Sequence, residues 1–210
     1  MAELSMNQVI HAAVRRDVAR TEQALRAFPD GDSGRARELQ TAWRNLVREL
    51  THHHEAEDEH VWPYLQSCGV DGSLLAQMES EHVQLKSALA GVSAALDDLV
   101  RTPTAAVAAS GAEEVARARA VINGHLDHEE ADVEPLLAAR EEDVAWKAVA
   151  KRLRPPSIVD GANAIAWMMD GAGERERTSL RATIPGPVVT VLTGLFARRY
   201  RREVAPVWSR

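Results

Sequence analysis

With 210 residues, 45% of them hydrophobic, the chain is long enough for one well-filled core plus an appendage, or for two small domains. A net charge of −6 argues against a general nucleic-acid binder, and the single cysteine, Cys68, excludes an internal disulfide and any multi-cysteine zinc or iron–sulfur site. No run approaches the ~20 apolar residues of a membrane span, and the polar-interrupted N-terminus lacks a signal-peptide core, so a cytoplasmic setting is expected.

Ala, Leu, Arg and Glu are abundant and aromatics are few, which favours helices. Helix one is predicted over residues 4–28, where Val14, Val18 and Leu25 continue the face of His11. Pro29 and the run Asp30-Gly31-Asp32-Ser33-Gly34 break it. Helix two, over 35–66, carries Leu39, Leu46, Leu50 and His53 near one stripe. Pro63 is expected to kink or end this helix, because its ring displaces the backbone bond to Glu59. After a turn at 68–72, helix three spans 73–100 with Ser73 as N-cap. Leu85, Leu89 and Leu96 follow His82 there as Val14, Val18 and Leu25 follow His11. Helix four spans 105–140, with Pro135 near its end. The prediction is an all-α protein: an up-down-up-down four-helix bundle over 1–140 with a C-terminal helical extension over 141–210. The extension reads as helices at 141–153, 157–170, 174–183 and 188–196, followed by Arg198-Arg199-Tyr200-Arg201-Arg202. Docking on the bundle is one reading of it; a peripheral membrane or protein contact through 185–202 is the other.

The chemistry is concentrated in two segments. His53-x-x-x-Glu57-Asp58 with Pro63 recurs as His125-x-x-x-Glu129-Glu130 with Pro135. His53 lies 72 positions before His125, and His11 lies 71 before His82, so the chain reads as two copies of one unit. Helix positions four apart share a face, so an imidazole and a carboxylate at that spacing can reach one metal ion, or the carboxylate can bridge two. Of eight histidines only these four recur in register; His52, His54 and His128 align with Gly124, Leu126 and Ala56. Four imidazoles and two carboxylates suit a pair of ions: His11 and His53 on one, His82 and His125 on the other, with Glu57 and Glu129 bridging. Iron, manganese and zinc all accept this donor set, and its unfinished coordination points to redox-active di-iron. A rival Glu-x-x-His pattern, Glu57/His60 and Glu79/His82, ignores the repeat and is absent from helix four.

Around these residues, His54 and His60 adjoin the ligands, and His60 could orient Glu57. Asp58 and Glu130 either accept a ligand's ring N–H from a neighbouring helix or are exposed. Leu50, Met78, Leu85 and Ile122 sit about one turn from ligands and could wall a pocket. Trp62 and Tyr64 read as core packing.

The paired motifs and the lone histidines of helices one and three resemble the hemerythrin-like HHE cation-binding domain over 1–140. The resemblance implies a four-helix bundle holding two iron ions, oxo- or hydroxo-bridged, with His11, His53, His82 and His125 as terminal ligands and Glu57 and Glu129 as bridges. Oxygen-carrying members have a fifth histidine one turn before the helix-three ligand. Here that place is Met78, whose repeat partner is Asn7, and a thioether is a poor ligand for ferric iron. The four-histidine set is that of the iron–sulfur-repair branch, whose cysteine-bearing N-terminal domain is absent. The resemblance therefore points to a protein that binds and senses or scavenges a small diatomic ligand (oxygen or nitric oxide) or peroxide. Alternatives are a catalase- or peroxidase-like enzyme and a non-redox, metal-stabilised scaffold or iron store. The tail around 199–208 resembles extensions on such proteins from actinobacteria.

Overall fold

The computed structural model describes residues 4–209; the first three residues of the expected 1–140 unit and Arg210 lie outside the described residues. The described chain is all-α, with no strand among those residues. Four long helices, α1 (Met6–Arg26), α2 (Ser33–Ala56), α4 (Gly72–Arg101) and α5 (Ala105–Asp132), form a ring in which α1 and α4 each pack on both α2 and α5. Between α2 and α4 lie a π-helical turn (Glu57–Val61) and the short α3 (Trp62–Ser67).

Side chains set the helix starts. Ser5 and Gln8 form a capping box on α1, and Thr104 accepts from the Val107 N–H to open α5. Two starts differ from expectation: Asp32 caps α2 and Asp71, not Ser73, caps α4. Both carboxylates sit just ahead of a glycine or serine and can accept from the first free amides while complementing the helix dipole. Pro63 does not end its helix. The preceding turn widens instead, the Trp62 N–H reaching back five residues to the Glu57 carbonyl, which removes the carbonyl that the proline ring would strike. The second copy solves the same problem differently: helix four breaks at Val133, and Pro135 opens the short α6 (Glu134–Ala138).

The α1–α2 and α4–α5 loops meet at one end, where the Gly31 N–H donates to Pro103 O at 2.7 Å and the Ala105 N–H to Asp30 Oδ1 at 2.7 Å. From there a main core runs through the ring, including Val14, Val18, Leu39, Trp43, Leu46, Leu89, Leu96 and Val115. A second apolar cluster closes the far end, built from Val61, Trp62, Tyr64, Leu65, Leu75, Met78 and Val133 under α6 and α7 (Val144–Arg152). On α2, α4 and α5 the residues of the repeated motifs fall between these two cores.

The extension continues through α8 (Ile158–Met169), α9 (Glu174–Thr183), α10 (Gly186–Phe196), a π turn (Tyr200–Val204) and a 3-10 turn (Ala205–Ser209). Ala162, Ile165, Trp167, Leu180, Tyr200 and Val207 join the main core. Asp17, 1% exposed, anchors the docking: it accepts the Trp167 indole N–H at 2.9 Å and faces Arg16 and Arg20. Arg16 in turn donates to the Trp167 carbonyl, and Arg35 to the Val207 carbonyl, both at 2.8 Å. Between α8 and α9, Gly171 holds φ +68°, and a Cβ there would collide with the Arg20 guanidinium.

Candidate metal centre

His11, His53, Glu57, His82, His125 and Glu129 come together at the end of the ring away from the two hairpin loops. His11 Nε2 lies 3.2 Å from His53 Nε2 and 3.3 Å from Glu129 Oε2, and His53 Nε2 lies 3.2 Å from Glu57 Oε1. Opposite them, His82 Nε2 is 3.7 Å from Glu57 Oε2 and His125 Nε2 is 3.8 Å from Glu129 Oε2. Each carboxylate therefore stands between the two imidazole pairs. Donors about 2.1 Å from a common ion lie about 3 Å apart when they subtend a right angle, so the spacing suits shared ions.

Burial makes the same point energetically. Nε2 of His54, His82 and His125 and Oε2 of Glu57 and Glu129 are buried without a hydrogen-bond partner. Such an orphaned polar atom costs about 1–3 kcal/mol, and a cation would give all five a partner. Without one, the carboxylates divide a proton. Burial first, then the neighbouring charge of Glu129, pushes the Glu57 carboxyl well above its ordinary value. Burial would raise Glu129 too, but the imidazole of His11 3.3 Å from its Oε2, with the charges of His53 and His125, holds it down at about 2. Burial would lower His11, yet Glu129 and Glu130 raise it to about 8. Burial, reinforced by the charge of His11, lowers His53 to about 3.

The ring nitrogens facing away from the cluster are held by acids. Asp58 accepts from His82 Nδ1 at 2.7 Å, and Glu130 accepts from His11 Nδ1 at 2.9 Å. The two hairpins thus exchange acceptors: Asp58 of the first serves the second, and Glu130 of the second serves the first. In the neutral ring each bond places the proton on Nδ1 and leaves the Nε2 lone pair for a metal; His11, raised to about 8, must first lose its Nε2 proton. Trp62 Nε1 donates to Asp58 at 3.0 Å, and Arg15 to Glu130 at 2.7 Å.

Two partners escaped the sequence. Glu81 accepts from both His125 Nδ1 (2.9 Å) and His128 Nδ1 (2.8 Å), and Asn7 donates to Glu129 Oε1 at 2.8 Å. Asn7 lies one turn before His11, a spacing that could have singled it out. The repeat hid both, because their counterparts in it, Met78 and Ile10, cannot make these bonds. His54, out of register in the repeat, is 1% exposed and stacks on His82 with ring centroids 4.1 Å apart. His60 Nε2 lies 3.8 Å from Glu59 Oε1 and forms no ion pair with Glu57 within 4.0 Å. Leu50, Leu85 and Ile122 are buried in the main core, and Met78 in the terminal cluster.

The family profile of the hemerythrin HHE cation binding domain matches residues 8–137. No curated protein and no solved structure matches the chain.

Proposed function

The chain belongs to the hemerythrin HHE cation-binding domain family, and we propose that it holds two iron ions and uses them to bind and sense or scavenge oxygen, nitric oxide or peroxide in the cytoplasm. His11 and His53 would hold one ion, His82 and His125 the other, and Glu57 and Glu129 would span both. The observation that carries this reading is the set of five buried, unpartnered donor atoms between reciprocal acid-held imidazoles. Iron supplies one-electron redox chemistry and a coordination position open to a small ligand. The chain supplies the rest: it holds the Nδ1 protons of His11 and His82 on acids, encloses the site between two apolar cores, and raises the Glu57 carboxyl so that metal competes with a proton there. The chain's only cysteine, Cys68, is exposed, which suits a reducing compartment.

The test is metal content with the visible spectrum of protein from iron-supplemented cells. About two irons per chain, with charge-transfer bands that bleach on reduction, are expected, and His125→Ala should lose iron. A colourless protein that keeps stoichiometric zinc after anaerobic ferrous loading would overturn the proposal.

One observation supports a further role for the extension. Among the described residues no single helix is long and apolar enough to cross a membrane, but α10 exposes Val188, Val191, Leu195 and Phe196, followed by exposed Arg198, Arg201 and Arg202. That combination suits peripheral contact with an anionic lipid surface. Co-sedimentation with anionic but not neutral vesicles is expected; equal recovery from both would count against it.

A further inference from the structure

We propose that His54 is a fifth imidazole ligand, joining His82 and His125 on one of the two ions and making the centre asymmetric. The inference rests on the di-metal reading and deepens it. In the repeat, His54 corresponds to Leu126. A leucine at that place packs without polar cost, whereas an imbedded imidazole must be compensated. His54 is 1% exposed, and its Nε2 is buried with no hydrogen-bond partner. It is not aimed at an empty apolar wall. Donor atoms of His54, His82 and His125 lie within 4.8 Å of one another, as do those of His53, His54 and Glu57. Its ring lies 4.1 Å from that of His82 and 5.0 Å from that of His125, centroid to centroid, against 5.4 Å from that of His53. The donor atoms, rather than the stacked ring faces, group it with His82 and His125, and Glu57 is the carboxylate that reaches from His53 to His82.

The backbone explains how two adjacent residues, His53 and His54, can both serve the centre. Neighbours on a helix diverge by about 100°. A site enclosed between helices can accept both on different ions if these would lie side by side across the helix, one towards α1 and one towards α4. The distances show that division: His53 meets His11 of α1, and His54 meets His82 of α4.

The asymmetry has a chemical consequence. With three imidazoles and a share of two carboxylates, the His54 side is nearly saturated for a six-coordinate ion. With two imidazoles, the His11–His53 side is not.

The test uses the full-length protein loaded with cobalt(II). His54→Leu, which copies the repeat partner, should bind one cobalt with wild-type affinity and the second at least tenfold more weakly. Wild-type protein should show five exchangeable, paramagnetically shifted imidazole N–H resonances and the variant four. The resonance count needs only the wild-type chain, so it holds even where the variant folds poorly. Two cobalt ions with unchanged affinities in His54→Leu, or four shifted resonances in the wild type, would overturn the assignment of His54 alone. A wild-type protein that binds fewer than two cobalt ions would overturn the di-metal reading and this inference with it.

Discussion

Replacing Glu57 by glutamine should stabilise the metal-free protein and weaken the metal-loaded one. Glu57 is 5% exposed, and burial with the adjacent Glu129 pushes its carboxyl well above the ordinary 4.5. The folded chain therefore keeps a proton that the unfolded chain releases above pH 4.5. Stability falls as pH rises through that window, by about 1.4 kcal/mol per pH unit for as long as the folded carboxyl stays protonated. An amide of the same shape carries no such term. The advantage of Glu57→Gln should thus be small at pH 4.5 and grow as the pH rises above it, by at most about 1.4 kcal/mol per unit, a Tm gap widening by at most about 3–6 °C per unit for a chain this size. The imidazoles titrate in the same range, His53 with a value lowered to about 3, but they are common to both proteins and cancel in the difference. The assay is urea denaturation of chelator-treated protein at pH 5, 6 and 7. Adding metal should reverse the order, because the wild type gains binding free energy that the amide cannot match. A difference that stays flat from pH 5 to 7, or a variant less stable throughout the metal-free series, would refute the reasoning.

Asp58→Asn should weaken metal affinity about 10–100-fold with little change in the metal-free fold, since Asp58 accepts from both His82 Nδ1 and Trp62 Nε1 and an amide oxygen orients the ring less firmly; a competition titration against a chelator reads it, and unchanged affinity would make Asp58 a surface residue. Trp167→Phe removes the indole N–H from buried Asp17 and should cost about 1–3 kcal/mol in urea denaturation; a loss under about 0.5 kcal/mol would mean that Arg16 and Arg20 satisfy the carboxylate alone. Gly171→Ala should destabilise by about 1–2 kcal/mol, because φ +68° disfavours a side chain and the Cβ displaces Arg20; a neutral Tm would show that the turn relaxes freely.

The all-α class and the gathering of the motif residues were legible because both rest on local periodicity: apolar stripes at helical spacing, and a histidine and glutamate one turn apart, repeated at a constant offset. What the sequence hid depends on which faces meet. Glu81 is adjacent in the chain to His82 yet serves His125 and His128 on α5, and no spacing rule links residues on separate helices. The repeat places Leu126 opposite His54, so a filter tuned to symmetric positions leaves His54 only beside the ligands, although its ring is as buried as theirs. Pro63 was rightly read as a disturbance, but the choice between ending a helix and widening one turn depends on tertiary packing, here Val61 and Trp62 entering the terminal cluster.

The anchoring of residues 158–209 on α1 and α2 bears on the order in which the chain is made. Asp17 emerges from the ribosome roughly 150 residues ahead of Trp167, the partner of its carboxylate; at about 5–20 residues per second, that gap lasts on the order of ten seconds or more. The ring helices are complete only at Asp132, 35 residues before Trp167, so for about the last 2–7 s of that interval all four are present while the face of α1 around Asp17 still lacks α8. The nascent bundle can gather its imidazoles before its outer wall is built. The outer helices then complete the main core that lies beneath the cluster, and removing them would strip part of that core rather than trim an appendage from it.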